Sequence, residues 1–471
     1  MKIEQIYTGC LAQGAYYIES QGEVAIIDPL REVSPYIERA KKENATIKYI
    51  FETHFHADFV SGHVTLSKKT GAPIIYGPTA KTNFEAIIAQ DQQEFKLGAL
   101  TFKVLHTPGH TMESTCYLLK DSNGKDHALF SGDTLFLGDV GRPDLAQKAA
   151  HMTQEQLAET LYDSLRNKVM TLADDVIVYP AHGAGSACGK NLSKETVGTI
   201  GEQKKSNYAL RQNMTKEEFV QEVTDGLLPP PQYFPLNVKL NKEGYEDIDQ
   251  VLDKGTHAMD PEAFEKAANA TGAVVLDVRH QDEFAKGHIP KSIFIGIDGG
   301  FAPWVGALIG DVTHPILIVA PEGREEETII RLARVGFDNT IGYLEGGISA
   351  WTQAQKEIDT VENVAVENFK KQLDTNPIFD VRKPGEFTVG RLQDAHNTPL
   401  DFINDHLQEF PKENTFYIHC AGGYRSMIAA SILKSRGYHN LINVEGGFGA
   451  IKNAGIPIVE EVCPSTLKAN S

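Results

Sequence analysis

The chain of 471 residues reads as an α/β protein of several domains. Three observations predict this. Short β-branched runs alternate with amphipathic stretches, one proline-dense stretch interrupts them, and everything beyond it reads as two versions of one module. At about 100 to 200 residues per domain the length calls for two to four domains. We place three, at 1–240, 241–358 and 359–471. Hydrophobic residues make up 41% and charged residues 23%, the balance of a globular chain rather than a disordered one. The formal net charge of -18 repels phosphate backbones and anionic lipid, which argues against nucleic-acid and membrane partners. The N-terminus lacks the apolar core of a signal peptide, and no apolar run approaches roughly 18 residues. A cytoplasmic location is expected.

The elements follow in order. Ala15 to Glu19 and Val24 to Asp28 read as strands, Ser34 to Asn44 as an amphipathic helix, and Ile47 to Phe51 as a strand. Gly62 to Thr70 reads as a helix and Ile74 to Tyr76 as a strand. Phe95-Lys96 and Leu100 to Leu105 flank a hairpin turn. Strands at Thr115 to Leu119, Ala128 to Phe130 and Asp175 to Tyr179 follow, with a helix at Gln154 to Lys168. The stretch from Gly226 to Pro235 is too rich in proline for a regular element and reads as a connector, with Tyr233 and Phe234 packing it onto a domain.

Four turns of the first third carry metal-binding residue types: Thr53-His54-Phe-His56-Ala-Asp58, Thr107-Pro-Gly-His110-Thr, Ser131-Gly-Asp133-Thr and Tyr179-Pro-Ala-His182-Gly. Imidazole and carboxylate suit Fe(II), Zn or Mn, and loops leaving rigid strands let ligands converge. A single such turn is equally well explained by a surface or core histidine. Four in one domain point to a metal site.

This order of motifs resembles the metallo-β-lactamase superfamily and implies its αββα sandwich. Hydrolases such as glyoxalase II carry a histidine after the aspartate, completing a second metal site. Here that position is Phe59, which cannot ligate. The resemblance then narrows to the persulfide dioxygenases of the same superfamily and implies one Fe(II) per chain on His54, His110 and Asp133, a two-histidine, one-carboxylate set with open positions. His56, Asp58 and His182 would orient ligands or hold water, with His56 kept as a candidate fourth ligand. Arg142, in Gly141-Arg-Pro-Asp144, is expected to meet the carboxylate of the substrate's thiol carrier, the alternative being a structural pair with Asp144. Cys188 lies in a Gly-rich loop just after His182, where glutathione-using relatives usually carry Asp-Tyr. It is read as receiving a persulfide or sitting near the substrate, the alternative being an inert thiol.

Beyond the connector, Asp277-Val-Arg279 with Glu283-Phe284 matches Asp380-Val-Arg382 with Glu386-Phe387, and Glu345-Gly-Gly matches Glu445-Gly-Gly, at an offset of about 100 residues. The pattern resembles the rhodanese family and implies two α/β modules with parallel sheets. In the second, Cys420-Ala421-Gly422-Gly423-Tyr424-Arg425 opens a helix, so backbone N–H groups form an anion nest that stabilises a thiolate or a Cys-persulfide. Cys420 is the expected nucleophile, with Arg425 as its cationic neighbour. Asp380 and Arg382 read as a stabilising pair. The first module has Ala320 in register with Cys420, in a loop full of glutamates, and reads as inert. Of the five cysteines, Cys10 and Cys116 read as core residues and Cys463 as incidental, so no disulfide framework is expected.

The resemblance as a whole implies an enzyme that oxidises a low-molecular-weight thiol persulfide with O2 to sulfite and thiol. Cys420 would exchange sulfane sulfur with sulfite and thiosulfate, in the context of sulfide detoxification and in a homo-oligomer. One rival is a zinc thioester hydrolase of the glyoxalase II kind. The other is a rhodanese pair that serves only as a sulfur carrier or interaction module.

Overall fold

A computed structural model describes residues 1–373 and 375–460, so Cys463 lies outside the described residues. The chain falls into two compact units, the first comprising residues 1–249 with 332–336, the second 250–331 with those from 337 on.

In the first unit two six-stranded sheets stand in simple chain order. One holds β1 (Lys2–Thr8), β2 (Gln13–Ser20), β3 (Glu23–Ile27), β4 (Thr46–Phe51), β5 (Ile74–Tyr76) and β6 (Ile87–Ile88). The other holds β7 (Glu94–Leu97), β8 (Leu100–His106), β9 (Thr115–Lys120), β10 (Asp126–Gly132), β11 (Ile177–Pro180) and β12 (Gly198–Thr199). Strand alternation divides the side chains between faces. Tyr16, Phe51, Phe102, Tyr117 and Phe130 form one core shared by both sheets. Their neighbours turn outward: Tyr17 and Ile26 meet Tyr36 and Leu66 of the helices Ser34–Lys42 and His63–Thr70, and Leu118 and Leu129 meet Leu161 of the helix Gln154–Ser164. The result is the αββα sandwich.

Two details differ from expectation. The connector ends in a helix, Phe234–Glu243, because Pro235 falls in its first turn, where no N–H is needed. Tyr233 and Phe234 are buried, as expected of a packed connector. Cys10 sits half-buried in a turn rather than in a strand core, while Cys116 is buried in β9.

The second unit contains two five-stranded sheets, parallel at every pairing among the described residues. The middle module has β13 (Ala258–Met259), β14 (Val274–Asp277), β15 (Ile293–Phe294), β16 (Ile316–Val319) and β17 (Thr340–Leu344). The last has β18 (Glu362–Val364), β19 (Ile378–Asp380), β20 (Ala395–Asn397), β21 (Phe416–His419) and β22 (Leu441–Val444). Their orders, β13-β17-β16-β14-β15 and β18-β22-β21-β19-β20, are the same topology.

Candidate active sites

In the first unit the strand ends converge on Asp133. His110 Nε2 lies 3.4 Å and His54 Nε2 3.8 Å from its Oδ2, all three side chains are buried, and their ligand atoms lie within 4.8 Å of one another. Each imidazole is held from behind. Thr53 Oγ1 sits 3.0 Å from His54 Nδ1, and the backbone carbonyl of Arg142 sits 2.8 Å from His110 Nδ1. That approach requires glycine at 141, since a Cβ there would lie 2.0 Å from the Asp133 carbonyl oxygen. Burial first, then the neighbouring His56, His110 and His182, push His54 well below the ordinary histidine value, so it stands neutral and able to ligate. Both Asp133 carboxylate oxygens lack a hydrogen-bond donor among the described residues. A buried carboxylate without hydrogen-bond donors is costly, so this donor set fits a bound cation.

His56 stands beside that trio, its ring 4.2 Å from the His54 ring centroid and a ligand atom within 4.8 Å of those of Asp58 and His182. Its Nε2 lies 3.0 Å from Asp28 and 3.6 Å from Glu52, and its ring packs on Phe59 with centroids 4.4 Å apart. Two carboxylates thus hold one edge of the ring, and the trio His54, His110 and Asp133 forms without His56. Asp28 also accepts from the Thr53 amide and hydroxyl, both at 2.8 Å. Burial and Asp28 raise Glu52 well above the usual carboxylate range. Burial lowers His63, 3.5 Å from Glu52, to about 3.

Asp58 and His182 pair at 3.5 Å, and His182 also faces Asp133 at 3.6 Å. Burial pulls His182 down, but Asp58 and Asp133 outweigh it and hold it well above the ordinary value. Burial and those same carboxylates push the adjacent Cys188 thiol up to about 12. Cys188 is 1% exposed, and its carbonyl accepts from the Arg142 amide at 3.0 Å. The thiol lies within 4.8 Å of ligand atoms of Asp133 and His182.

The Arg142 guanidinium is already engaged: Nε and Nη2 donate to Asp144 at 2.7 Å each, and Nη1 and Nη2 reach the carbonyls of Ala187 and Leu228. The pairing with Asp144, the alternative reading of Arg142, is present in the structure, its acceptor lying two residues away.

Sequence reasoning missed Asn241. From the helix after the connector its amide donates to the carbonyls of His56 and Phe59, both at 2.8 Å, and accepts from the Ser61 amide at 2.8 Å. One side chain so clamps the whole ligand loop. Asp28 and Glu52, the acids at the ends of β3 and β4, were missed as well. Their position at strand ends beside the ligand turn was the available signal.

In the last module Cys420 follows β21 and is 1% exposed. Gly423, with φ 107°, turns its amide onto Cys420 Sγ at 3.1 Å and starts the helix Tyr424–Ser435. The amides of Phe448 and Gly449 bond to the carbonyls of Cys420 and Ala421. Gly447 must be glycine there: its φ is +55° and a Cβ would meet the Cys420 oxygen at 2.5 Å. Arg382 is stapled to Asp380, with Nε at 2.9 Å, and to the Gly390 carbonyl at 2.7 Å. Arg425, expected as the cationic neighbour of the thiol, also donates to both Glu386 oxygens at 2.6 and 2.7 Å. The middle module repeats the staple with Arg279 and Asp277. Ala320 follows β16 as Cys420 follows β21, and its cavity of about 610 Å³ is bordered by Arg279 but also by Glu283, Glu322, Glu325 and Glu345.

Residues 8–182 match the metallo-beta-lactamase superfamily, and residues 260–354 and 365–454 each match the rhodanese-like domain. The chain is 36% identical over 170 residues to a hydroxyacylglutathione hydrolase of Tolumonas auensis, a match that spans 35% of this chain and 60% of that one. It is 29% identical over 222 residues to the mitochondrial persulfide dioxygenase ETHE1 of Homo sapiens, covering 46% of this chain and 78% of the other. Among solved structures, a metallo-beta-lactamase from Staphylococcus aureus is 30% identical with a TM-score of 0.64, and the match covers 73% of this chain and 98% of that one.

Proposed function

The chain belongs to the metallo-beta-lactamase superfamily and carries two rhodanese-like domains, and we propose that it is an Fe(II) persulfide dioxygenase coupled to a sulfurtransferase. His54, His110 and Asp133 would hold one ferrous ion per chain. Bound there, the ion would supply the redox chemistry for O2 to react with a sulfane sulfur. The overall change balances as one persulfide, one O2 and one water giving one thiol, one sulfite and two protons. The S–S bond breaks, the outer sulfur is oxidised and O2 is reduced.

The protein's own groups do the rest. Thr53 and the Arg142 carbonyl fix the two imidazoles, Asn241 fixes the loop between them, and the Asp58–His182 pair supplies a buried proton-bearing group facing Asp133. At the second site the Cys420 thiolate attacks the outer sulfur of thiosulfate. The S–S bond of thiosulfate breaks, Cys420–S–S⁻ forms and sulfite leaves. The reverse returns that sulfur to sulfite.

The observation that carries the reading is Phe59, a fully buried ring packed on His56, at the position where two-metal hydrolases of the superfamily carry a ligand. A zinc thioester hydrolase is the second reading. It is favoured by the convergence of His56, Asp58 and His182 donor atoms within 4.8 Å and by the similarity to a hydroxyacylglutathione hydrolase. Metal analysis of the purified full chain, with O2 uptake and sulfite release on glutathione and coenzyme A persulfides, separates the two. We expect about one iron per chain and one O2 consumed per sulfite formed. Zinc, no O2 uptake and thioester hydrolysis would overturn the dioxygenase.

A further inference from the structure

The persulfide loop has a wall that does not belong to its own module. Tyr424, next to the Gly423 amide that bonds Cys420 Sγ, sends its side chain out of the loop and into the middle module. Its hydroxyl donates to the Gly296 carbonyl at 2.7 Å. Its ring lies against Gly299 so closely that a Cβ there would meet Cζ at 2.2 Å, and against Gly296, where a Cβ would meet Cε2 at 3.2 Å. The Phe294 ring stands edge-on at 5.9 Å. Along the same helix, Ser431 Oγ accepts from the Phe294 amide at 2.9 Å. On the other side of the loop Gln281 Nε2 approaches within 3.3 Å of where a Gly423 Cβ would be. A cleft of about 500 Å³ next to it is bordered by Gln281, Asp282 and Lys286 of the middle module and by Gly423, Met427 and Glu445 of the last.

The equivalent of Tyr424 in the middle module is Arg324, and it goes to the same strap: its Nη1 donates to Asp298 at 2.8 Å. The segment 296–299 therefore receives the residue at this loop position from both modules, one by hydrogen bond and ring contact, the other by an ion pair.

We propose that the middle module, having no nucleophile, positions the persulfide loop of the last module, and that Tyr424 seated on Gly296 and Gly299 is the positioning residue. The proposal rests on the reading of Cys420 as the sulfur carrier. A helix whose first residue is clamped from outside cannot roll, so the Gly423 amide keeps its aim at the sulfur. Glycine at 299 is what leaves room for the ring. Removing the hydroxyl weakens the seat; adding a methyl at 299 expels the ring.

The test uses the full chain and three readings: thiosulfate-to-cyanide sulfur transfer, the rate of Cys420 alkylation by iodoacetamide followed by peptide mass spectrometry, and the unfolding midpoint. Tyr424→Phe should lower kcat/KM about 3- to 10-fold, and Gly299→Ala at least about 10-fold, each with a changed alkylation rate at Cys420. In a Tyr424→Ala background Gly299→Ala should have no further effect, since the ring it displaces is gone. Unchanged transfer and alkylation in both variants, or a lowered unfolding midpoint with unchanged transfer, would overturn the proposal. So would additive losses in the double variant. Should Gly299→Ala fail to fold, Tyr424→Phe and Gln281→Ala read the same seat. A wild type that transfers no sulfur sinks the sulfurtransferase reading instead, and the alkylation rates still decide the positioning.

Discussion

The middle and last modules are one fold written twice, with the same five-strand order, the same buried Asp–Arg staple and the same Gly-Gly turn after the final strand. They differ where chemistry would sit. Position 420 is cysteine and 320 alanine; position 425 is arginine, paired with Glu386, and 325 is glutamate, in a cavity shared with Glu283. The elements that build the sheet and close the loop are kept in both modules, whereas Cys420 and Arg425 have no counterpart at 320 and 325. Losing only the cysteine would have left a loop of balanced charge, with Arg425 paired to Glu386. The carboxylates around position 320 repel a sulfur anion.

The largest effect that can break this comparison is loss of the thiol. Cys420→Ser should cut thiosulfate-to-cyanide transfer at least about 1000-fold, measured on the full chain. Adding Ala320→Cys to that variant should restore less than about 1% of the rate, because the thiolate would stand among Glu322, Glu325 and Glu345. Substantial rescue would mean that the missing sulfur alone separates the modules. A smaller effect tests what they share. Asp277→Ala and Asp380→Ala each strand a buried arginine and should destabilise by about 3 kcal/mol, read by urea unfolding of the intact chain. Only the second should also slow sulfur transfer.

Much of this was legible in the sequence because it is local. Each ligand turn carries its histidine or aspartate at a strand end, and the repeat shows itself through Asp-Val-Arg and Glu-Gly-Gly. What stayed hidden depends on partners far away in the chain. Asn241 clamps the loop of His56 from 185 residues away, and nothing around it in the sequence marks it. Asp28 and Glu52 look like ordinary acids after apolar strands until His56 is seen between them. The two arginines show the same limit from the other side. A guanidinium near a reactive site reads first through its charge, and the structure adds the carboxylates that pair with it, Asp144 for Arg142 and Glu386 for Arg425. The acceptor for Arg142 was two residues away and visible; the one for Arg425 was 39 residues away and was not.

That second pairing gives the smallest and most discriminating comparison. The Arg425 guanidinium holds Glu386 below its ordinary value of 4.5, against a partial burial that would raise it. A carboxylate lowered in the folded state contributes stability above its unfolded value and loses it as pH falls through the folded one. Wild type should therefore exceed Glu386→Gln in stability at neutral pH, and the difference should fade on acidification below 4.5. With the Glu386 side chain 38% exposed, solvent screening keeps the gap under about 1 kcal/mol. The matched Glu283→Gln change should be neutral or stabilising, since position 325 offers no cation. Urea midpoints across pH check both. If Glu386→Gln also slowed sulfur transfer while Tyr424 kept its seat, the pair would be aiming Arg425 at the sulfur, and the charge lost at position 325 would separate the two modules as much as the missing thiol.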